Sequence, residues 1–373
     1  MNIAVIASYA PSLVIFRGPL LAEMVARGHT VTGYAPDPDP QLVAALAALG
    51  VQFRAYPLQR AGLNPLRDAR TLAALTASLR RDRPDAALCY TIKPVIYGTL
   101  AARLAAVPRR HAMITGLGYA FTEADTGARK RRLVEWIVRA LYRLALRGCH
   151  VVFFQNPDDR GEFLRLGLVR EAQAVLVNGT GVDLDHYAPA APVTDGPVFL
   201  LIARLLADKG IREYVAAARI LKARYPQAVF RLVGPYDPNP AAIQPDEIAA
   251  WQAEGAVEYL GETRDVRPFI AACSVYVLPS FYREGTPRTV LEALAMGRPV
   301  VTTDAPGCRE TVVPGANGFL VPPRDVAALA AALERFILQP GLIATMGAHS
   351  RALAVEKYDV HQVNAAMLAA MRL

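Results

Sequence analysis

Thirteen short apolar runs, spaced along the chain with helix-like segments between most of them, set the fold class before any single residue is considered. They read as strands near residues 2–8, 30–35, 51–56, 85–91, 111–115, 150–155 and 174–178. A second series follows near 198–203, 229–233, 257–260, 275–278, 299–303 and 319–321. Runs such as Val275-Tyr276-Val277-Leu278 are apolar at every position, so both faces of the strand expect cover. Strands that alternate with helices predict parallel sheets with helices on both sides, an α/β class. At 373 residues the chain exceeds one ordinary core. Ala191 to Pro197 reads as a linker, which predicts an N-terminal domain over 1–190 and a second over 191–355. A last helix over 356–373 is free to cross back to the first. Two doubly wound domains bind ligands at their strand carboxyl ends, in the cleft they face. No G-x-G-x-x-G follows the first strand, which argues against a lone dinucleotide-binding enzyme.

The chemistry concentrates between the runs 275–278 and 299–302. Thr286 is placed to cap a helix, Pro287 to occupy its first position and Gly297 to follow its end. Glu284 then lies on a loop at a strand's carboxyl end, and Glu292 inside the helix. The helix N-terminus between them offers unpaired N–H groups to an anion. Phosphates flanked by hydroxyl-rich groups fit such a site, as in a nucleotide-diphosphate sugar. Earlier in the second half, Arg204 and Lys209 stand five residues apart on a strand-to-helix turn, where both can converge above the sheet. Fixed cations there would stabilise charge growing on a departing diphosphate. Plainer readings stay open: Glu292 paired to Arg288 one turn away, Arg204 and Lys209 as surface cations, and Gly234 and Gly261 as ordinary turn residues.

Glu284, seven residues, then Glu292 resembles the E-x7-E motif of the family-4 retaining nucleotide-sugar glycosyltransferases, and Arg204 with Lys209 is similar to that family's R-x4-K pair. Pro306 to Glu310 and Asn317 to Pro323 resemble its late segments, so the likeness covers nearly all of 198–338. The resemblance implies the GT-B architecture, two Rossmann-like domains facing a cleft, and retention of anomeric configuration. It implies that Arg204 and Lys209 hold the donor diphosphate, helped by the turn Gly285-Thr286-Pro287-Arg288. Glu284 would position the donor sugar and Glu292 the ribose diol. The loop after Gly261 would cradle the base through main-chain groups, which puts Arg264 and Val266 near it, with UDP favoured by the likeness; Gly234, like Gly261, ends a strand where a ligand can need close backbone approach. An acceptor hydroxyl would attack on the face the diphosphate leaves, with a leaving phosphate oxygen taking its proton. The first half resembles, more loosely, transferases that extend sugars on polyprenyl-diphosphate carriers in bacterial polysaccharide assembly. The stretches are Ser12 to Arg17, Tyr90 to Pro94, Thr115 to Gly118 and Asn178 to Asp183. By that likeness Arg17, Lys93, Thr115 and Gly116 line the acceptor side. Many family members end the relevant strand in histidine; here Thr115-Gly116 stands there, and His111 lies at the strand's start. No Asp-x-Asp cluster appears where a metal would bridge phosphates, so no metal is expected. A nucleotide-sugar epimerase or phosphorylase on the same fold, or a non-catalytic assembly partner, is the rival reading.

Charge singles out one more segment. The net charge of +8 lies wholly in residues 1–190, with 23 Lys and Arg against 15 Asp and Glu. Much of it belongs to Arg129-Lys130-Arg131-Arg132 and the amphipathic stretch after it. At 100° per residue Arg132, Arg139, Arg143 and Arg147 form one stripe with Trp136 among them, while Leu133, Ile137, Leu141 and Leu144 face elsewhere. That pattern suits an anionic membrane surface, whereas no nucleic-acid motif accompanies it. No apolar run is long enough to span a bilayer, and the four cysteines have no metal-ligand spacing and read as small buried residues. With a first strand beginning at Asn2 and no basic leader, the expected place is the cytoplasm, on the inner face of the plasma membrane.

Overall fold

The computed structural model describes residues 1–60, 64–116, 128–237, 239 and 242–373, with backbone alone for 128–135. The chain divides into two compact units, Met1–Thr180 with His361–Leu373, and Gly181–Val360.

The first unit is built on a seven-stranded sheet of β1 (Asn2–Ile6), β2 (Thr30–Ala35), β3 (Val51–Ala55), β4 (Ala86–Tyr90), β5 (Arg109–Ile114), β6 (Val151–Phe154) and β7 (Ala174–Leu176). Their spatial order is β3-β2-β1-β4-β5-β6-β7, and every pairing is parallel. The second unit holds β8 (Val198–Ile202), β9 (Val229–Val233), β10 (Glu258–Tyr259), β11 (Val275–Leu278), β12 (Val300–Thr303) and β13 (Gly318–Val321). They lie in the order β10-β9-β8-β11-β12-β13, again all parallel. Each of the thirteen expected strands is present.

Continuous apolar runs work here because the two faces of each sheet carry separate cores. Along β8, Phe199 and Leu201 enter one core with the helices Ile211–Arg224 and Val326–Leu338. Leu200 and Ile202 point the opposite way, into a core shared with the helix Arg288–Ala295. Each of these four side chains is 0–6% exposed, and burial of that kind contributes roughly 1.5–3 kcal/mol per side chain. In both sheets the strand order reverses next to the first strand, between β1 and β4 and between β8 and β11. Loops leaving adjacent strands in opposite directions open a crevice at that point.

The boundary differs from the expected one after residue 190. Val182 and Tyr187 are buried in the core of the second unit, with Ala190 and Val193 packed against it. The amide of Val182 donates to Tyr358 O at 2.8 Å, and that of Val360 to Val182 O at 3.1 Å. Residues 181–190 are therefore fixed by the second unit although their sequence reads as a continuation of the first. The C-terminal helix contributes Val363, Met367, Leu368 and Met371 to the core of the first unit.

Candidate active site

The crevice of the second unit collects most of the residues singled out by sequence. After β8 the chain turns through Ala203–Gly210, anchored by the fully buried Leu205, whose amide donates to Pro235 O at 3.0 Å. Gly210 ends the turn at φ 75°, and a Cβ there would stand 2.6 Å from the carbonyl carbon of Pro279 and nearer still to its oxygen. No side chain fits between these two segments, so the turn lies directly on the backbone leaving β11. The carbonyl of Asp208 then accepts the amides of Phe281 at 2.9 Å and Tyr282 at 3.0 Å. Two loops from adjacent strands are thereby stitched main chain to main chain.

That stitching sets Lys209 against Glu284. Lys209 Nζ and Glu284 Oε1 form an ion pair whose side chains are 13% and 12% exposed. The hydroxyl of Ser280 donates to the same oxygen at 3.1 Å, and the ammonium stands 5.0 Å from the centre of the Tyr282 ring. From behind, Gly307 leaves room for the Glu284 backbone, since a Cβ would come within 2.7 Å of Glu284 O. The fully buried thiol of Cys308 is pushed up to about 12, by burial first and then by the Glu284 carboxylate, so it stays protonated and is no nucleophile.

The helix after this loop begins one residue later than expected. Pro287 is extended at ψ 116° and caps the helix Arg288–Ala295, where the sequence had placed Thr286 as cap and Pro287 as first helical residue. A proline side chain has no acceptor, so the cap residue makes no side-chain hydrogen bond to the first-turn amides. Within the helix Glu292 is 4% exposed and accepts from Arg288 Nε at 2.8 Å and Tyr187 OH at 2.9 Å. Burial raises its pKa, against the pull of the Arg288 charge and the two hydrogen bonds. The Arg288 pair was legible from its spacing of four; Tyr187, 105 residues upstream, carried no sequence signal.

Several expected residues also have partners or packing of their own. Arg204 is half exposed and pairs through Nη1 with Asp237 Oδ2 at 2.7 Å, an acid beyond the end of neighbouring β9 that sequence reasoning missed. Gly234 is explained by packing: at φ 148° a Cβ would fall 2.7 Å from the carbonyl carbon of Ala203, so the glycine lets β9 pass the exit of β8. Val266 caps the short helix Arg267–Ala271 and packs on the core, which gives its side chain a structural role; Arg264 is exposed.

In the first unit the corresponding crevice holds the acceptor-side candidates. Ser8 Oγ meets Thr91 Oγ1 at 2.7 Å, tying the loops after β1 and β4 together. Arg17 is 3% exposed, its guanidinium 5.0 Å from the ring centre of Tyr90 and Nη2 2.7 Å from Met113 Sδ, so it is embedded where a lining residue was expected. Lys93 is drawn to the buried Asp68 at 2.8 Å, which also accepts from Tyr97 OH at 3.0 Å. Local spacing gave no hint of Asp68, 25 residues earlier. Thr115 and Gly116 are half-buried at the end of β5, with Gly116 at φ 98°. Leu117 and Gly118 lie outside the described residues, as do the side chains of Arg129 to Leu133.

The basic helix spans Ala128–Leu146. Its buried side is Val138, Tyr142, Ala145 and Leu146, while Trp136 is 67%, Ile137 37% and Leu144 51% exposed. Ile137 and Leu144, read as lying apart from the Trp136 stripe, thus share its exposure. Arg143 donates to Leu166 O at 2.8 Å. Among the described residues no single helix is long and apolar enough to cross a membrane.

Comparison with known proteins agrees with this geometry. Residues 17–179 match the glycosyl transferase 4-like domain and 196–339 the glycosyl transferases group 1 model. The chain is 31% identical over 333 residues to the N,N'-diacetylbacillosaminyl-diphospho-undecaprenol alpha-1,3-N-acetylgalactosaminyltransferase of Campylobacter jejuni, covering 86% of this chain and 85% of that one. It belongs to the family-4 glycosyltransferases. A second relative, the Escherichia coli UDP-Gal:alpha-D-GlcNAc-diphosphoundecaprenol alpha-1,3-galactosyltransferase, is 26% identical over 72% of this chain and 70% of its own. Anabaena HepE in complex with UDP superposes with a TM-score of 0.78 at 19% identity over the whole of both chains. Sucrose-phosphate synthase of Thermosynechococcus elongatus gives 0.81 at 20% identity over 100% of this chain and 98% of that one. The two parallel sheets are those of the GT-B glycosyltransferases, as the alternation of strands and helices predicted.

Proposed function

We propose that this glycosyltransferase moves a hexosyl or N-acetylhexosaminyl group from a nucleotide-diphosphate sugar, UDP-linked, to a saccharide carried on a lipid diphosphate, with retention of anomeric configuration and without a metal. The observation that carries the reading is the Lys209–Glu284 pair, set by backbone contacts beside a helix whose cap residue lends no side chain to its first-turn amides. A diphosphate over that helix end meets N–H donors, Arg288 and Lys209. Arg204 joins them at small cost, because a half-exposed pair such as Arg204–Asp237 is worth about 0–1 kcal/mol. When the C1–O bond breaks, the electron pair leaves with the diphosphate, and these cations stabilise its growing charge. The acceptor hydroxyl forms the new bond to C1 and its proton passes to a leaving phosphate oxygen. Glu284 orients the donor sugar through its hydroxyls, and Glu292 exchanges its bond from Tyr187 or Arg288 for one from the ribose. The acceptor class follows the two undecaprenyl-diphosphate relatives.

The same reading places the protein on the cytoplasmic face of an anionic membrane. Trp136, Ile137 and Leu144 are exposed on a helix that also carries Arg139 and Arg143, and each cation near such a surface contributes roughly 1 kcal/mol. The deciding experiment incubates the protein with a panel of UDP-sugars and a short-chain polyprenyl-diphosphate saccharide, with EDTA present. Transfer with unchanged anomeric configuration, read from the NMR coupling of the product, is expected. Inversion, dependence on added metal, or isomerisation of donor alone would overturn the corresponding part.

A further inference from the structure

At the opposite edge of the first unit's sheet from its carboxyl-end crevice, the starts of β5, β6 and β7 and the end of the C-terminal helix line an open cavity of about 810 Å³. Among the described residues its walls carry five arginines, Arg109, Arg110, Arg147, Arg170 and Arg372, together with His111 and His150, and no carboxylate side chain. Among the described residues none of the five arginines forms an ion pair with a carboxylate. Glu171, next to Arg170 in sequence, is taken by Arg160, and Asp85 accepts the amide of Asn2. The hydrogen bonds the arginines make go to neutral groups: Arg109 Nη1 to Arg372 O at 2.9 Å, Arg110 Nε to Gly148 O at 2.9 Å, and Arg170 Nε to Gln173 Oε1 at 3.0 Å. Like charges held together this way repel unless a counter-charge enters, and a recess lined by one sign focuses their field.

His111 supplies an independent observation that points to a ligand there. It is 2% exposed, lines the cavity, and among the described residues neither ring nitrogen has a hydrogen-bond partner. Buried polar atoms in that state are rare. Burial first, then the neighbouring His150, Arg109 and Arg110, push its pKa down to about 3. We propose that this cavity binds a multiply charged phosphate, a phosphomonoester or diphosphate, held by the arginine forks with His111 completing its hydrogen bonds. Guanidinium groups match phosphate oxygens in bidentate geometry, and the volume accommodates more than the bare anion. The site is built wholly from the first unit and is distinct from the Lys209–Glu284 site.

The test uses the full chain and inorganic pyrophosphate at constant ionic strength. Pyrophosphate also suits the site in the second unit, so the readout is local: the imidazole Cε1 proton resonance of His111, assigned by its loss in His111→Asn. A saturable shift is expected, and Arg170→Gln/Arg372→Gln should weaken it about tenfold or more. The melting temperature of that variant without ligand checks its fold. In a second arm, phosphatidylcholine vesicles with and without phosphatidic acid are sedimented with wild type and the same variant, which leaves the basic helix intact. Phosphatidate-dependent sedimentation lost in the variant, with His111 unmoved by pyrophosphate, would assign the site to a lipid headgroup. Failure of both arms, with His111 unmoved and sedimentation indifferent to the two arginines, overturns the proposal.

Discussion

Replacing Gly210 by alanine tests how the candidate site is registered. Two costs are separable. At φ 75° an alanine in the left-handed region costs about 1–2 kcal/mol. Its Cβ would also lie 2.6 Å from the Pro279 carbonyl carbon and 2.8 Å from Pro279 Cγ, about 1 Å short of ordinary contact. The obstacle is main chain and cannot rotate away, so the turn must lift, adding about 1–3 kcal/mol. Gly255 supplies the control, with φ 72° and nothing within 4 Å of a Cβ, so Gly255→Ala shows the conformational cost alone. Urea unfolding should therefore find Gly210→Ala less stable than Gly255→Ala by about 1–3 kcal/mol. Because Lys209 is carried by the lifted turn, a displacement near 1 Å should also lower kcat about 100-fold, with Gly255→Ala unaffected. Equal stabilities, or full turnover in a folded Gly210→Ala protein, would refute the claim that backbone contact at Pro279 positions Lys209.

Two further outcomes are expected. Arg204→Ala should leave stability within about 1 kcal/mol, since its pair with Asp237 is half exposed, but lower kcat at least about tenfold in steady-state assays. His111 should make the protein acid-sensitive: its folded pKa of about 3 lies below the 6.5 of an exposed histidine, so the unfolded chain binds the proton first. Its contribution is complete above pH 6.5 and is lost as pH falls toward 3, about 2 kcal/mol between pH 7 and 5. Urea melts of His111→Asn across that range should lack this slope, and an anion in the cavity should reduce it in wild type.

The fold was legible because its signal is local. Runs such as Val198–Ile202 are apolar at every position, and only a sheet covered on both faces accommodates them. The loop-to-helix stretch around Glu284 was legible for the same reason, though proline's extended ψ moved the cap from Thr286 to Pro287. What escaped was pairing across long separations. Asp237 for Arg204, Asp68 for Lys93 and Tyr187 for Glu292 come from other elements, and nothing in local spacing marks them. The boundary at Thr180 escaped likewise, because Val182 is held by Tyr358 and Val360 far down the chain. On the basic helix, periodicity located the arginines, but which apolar residues face inward depends on what they pack against, and Tyr142 meets Phe163 with ring centres 5.3 Å apart.

The burial of the Lys209–Glu284 pair changes what substitution there should do. With side chains about one-eighth exposed, removing one partner strands the other charge, so Lys209→Met and Glu284→Ala should lose stability as well as turnover, by up to about 3–5 kcal/mol. Glu284→Gln is the sharper probe, because it keeps the shape and an acceptor for Ser280 and Lys209 while removing the charge. If Glu284 holds Lys209 in competition with the donor diphosphate, its neutral variant frees the ammonium for the ground-state complex. KM for the donor should then fall while kcat falls too, since the sugar loses its positioning carboxylate. Lys209→Met should do the reverse to KM, raising it as kcat falls. Parallel changes in KM for the two variants would show that the pair does not partition between protein and substrate, and Glu284 would then serve only to hold the loop.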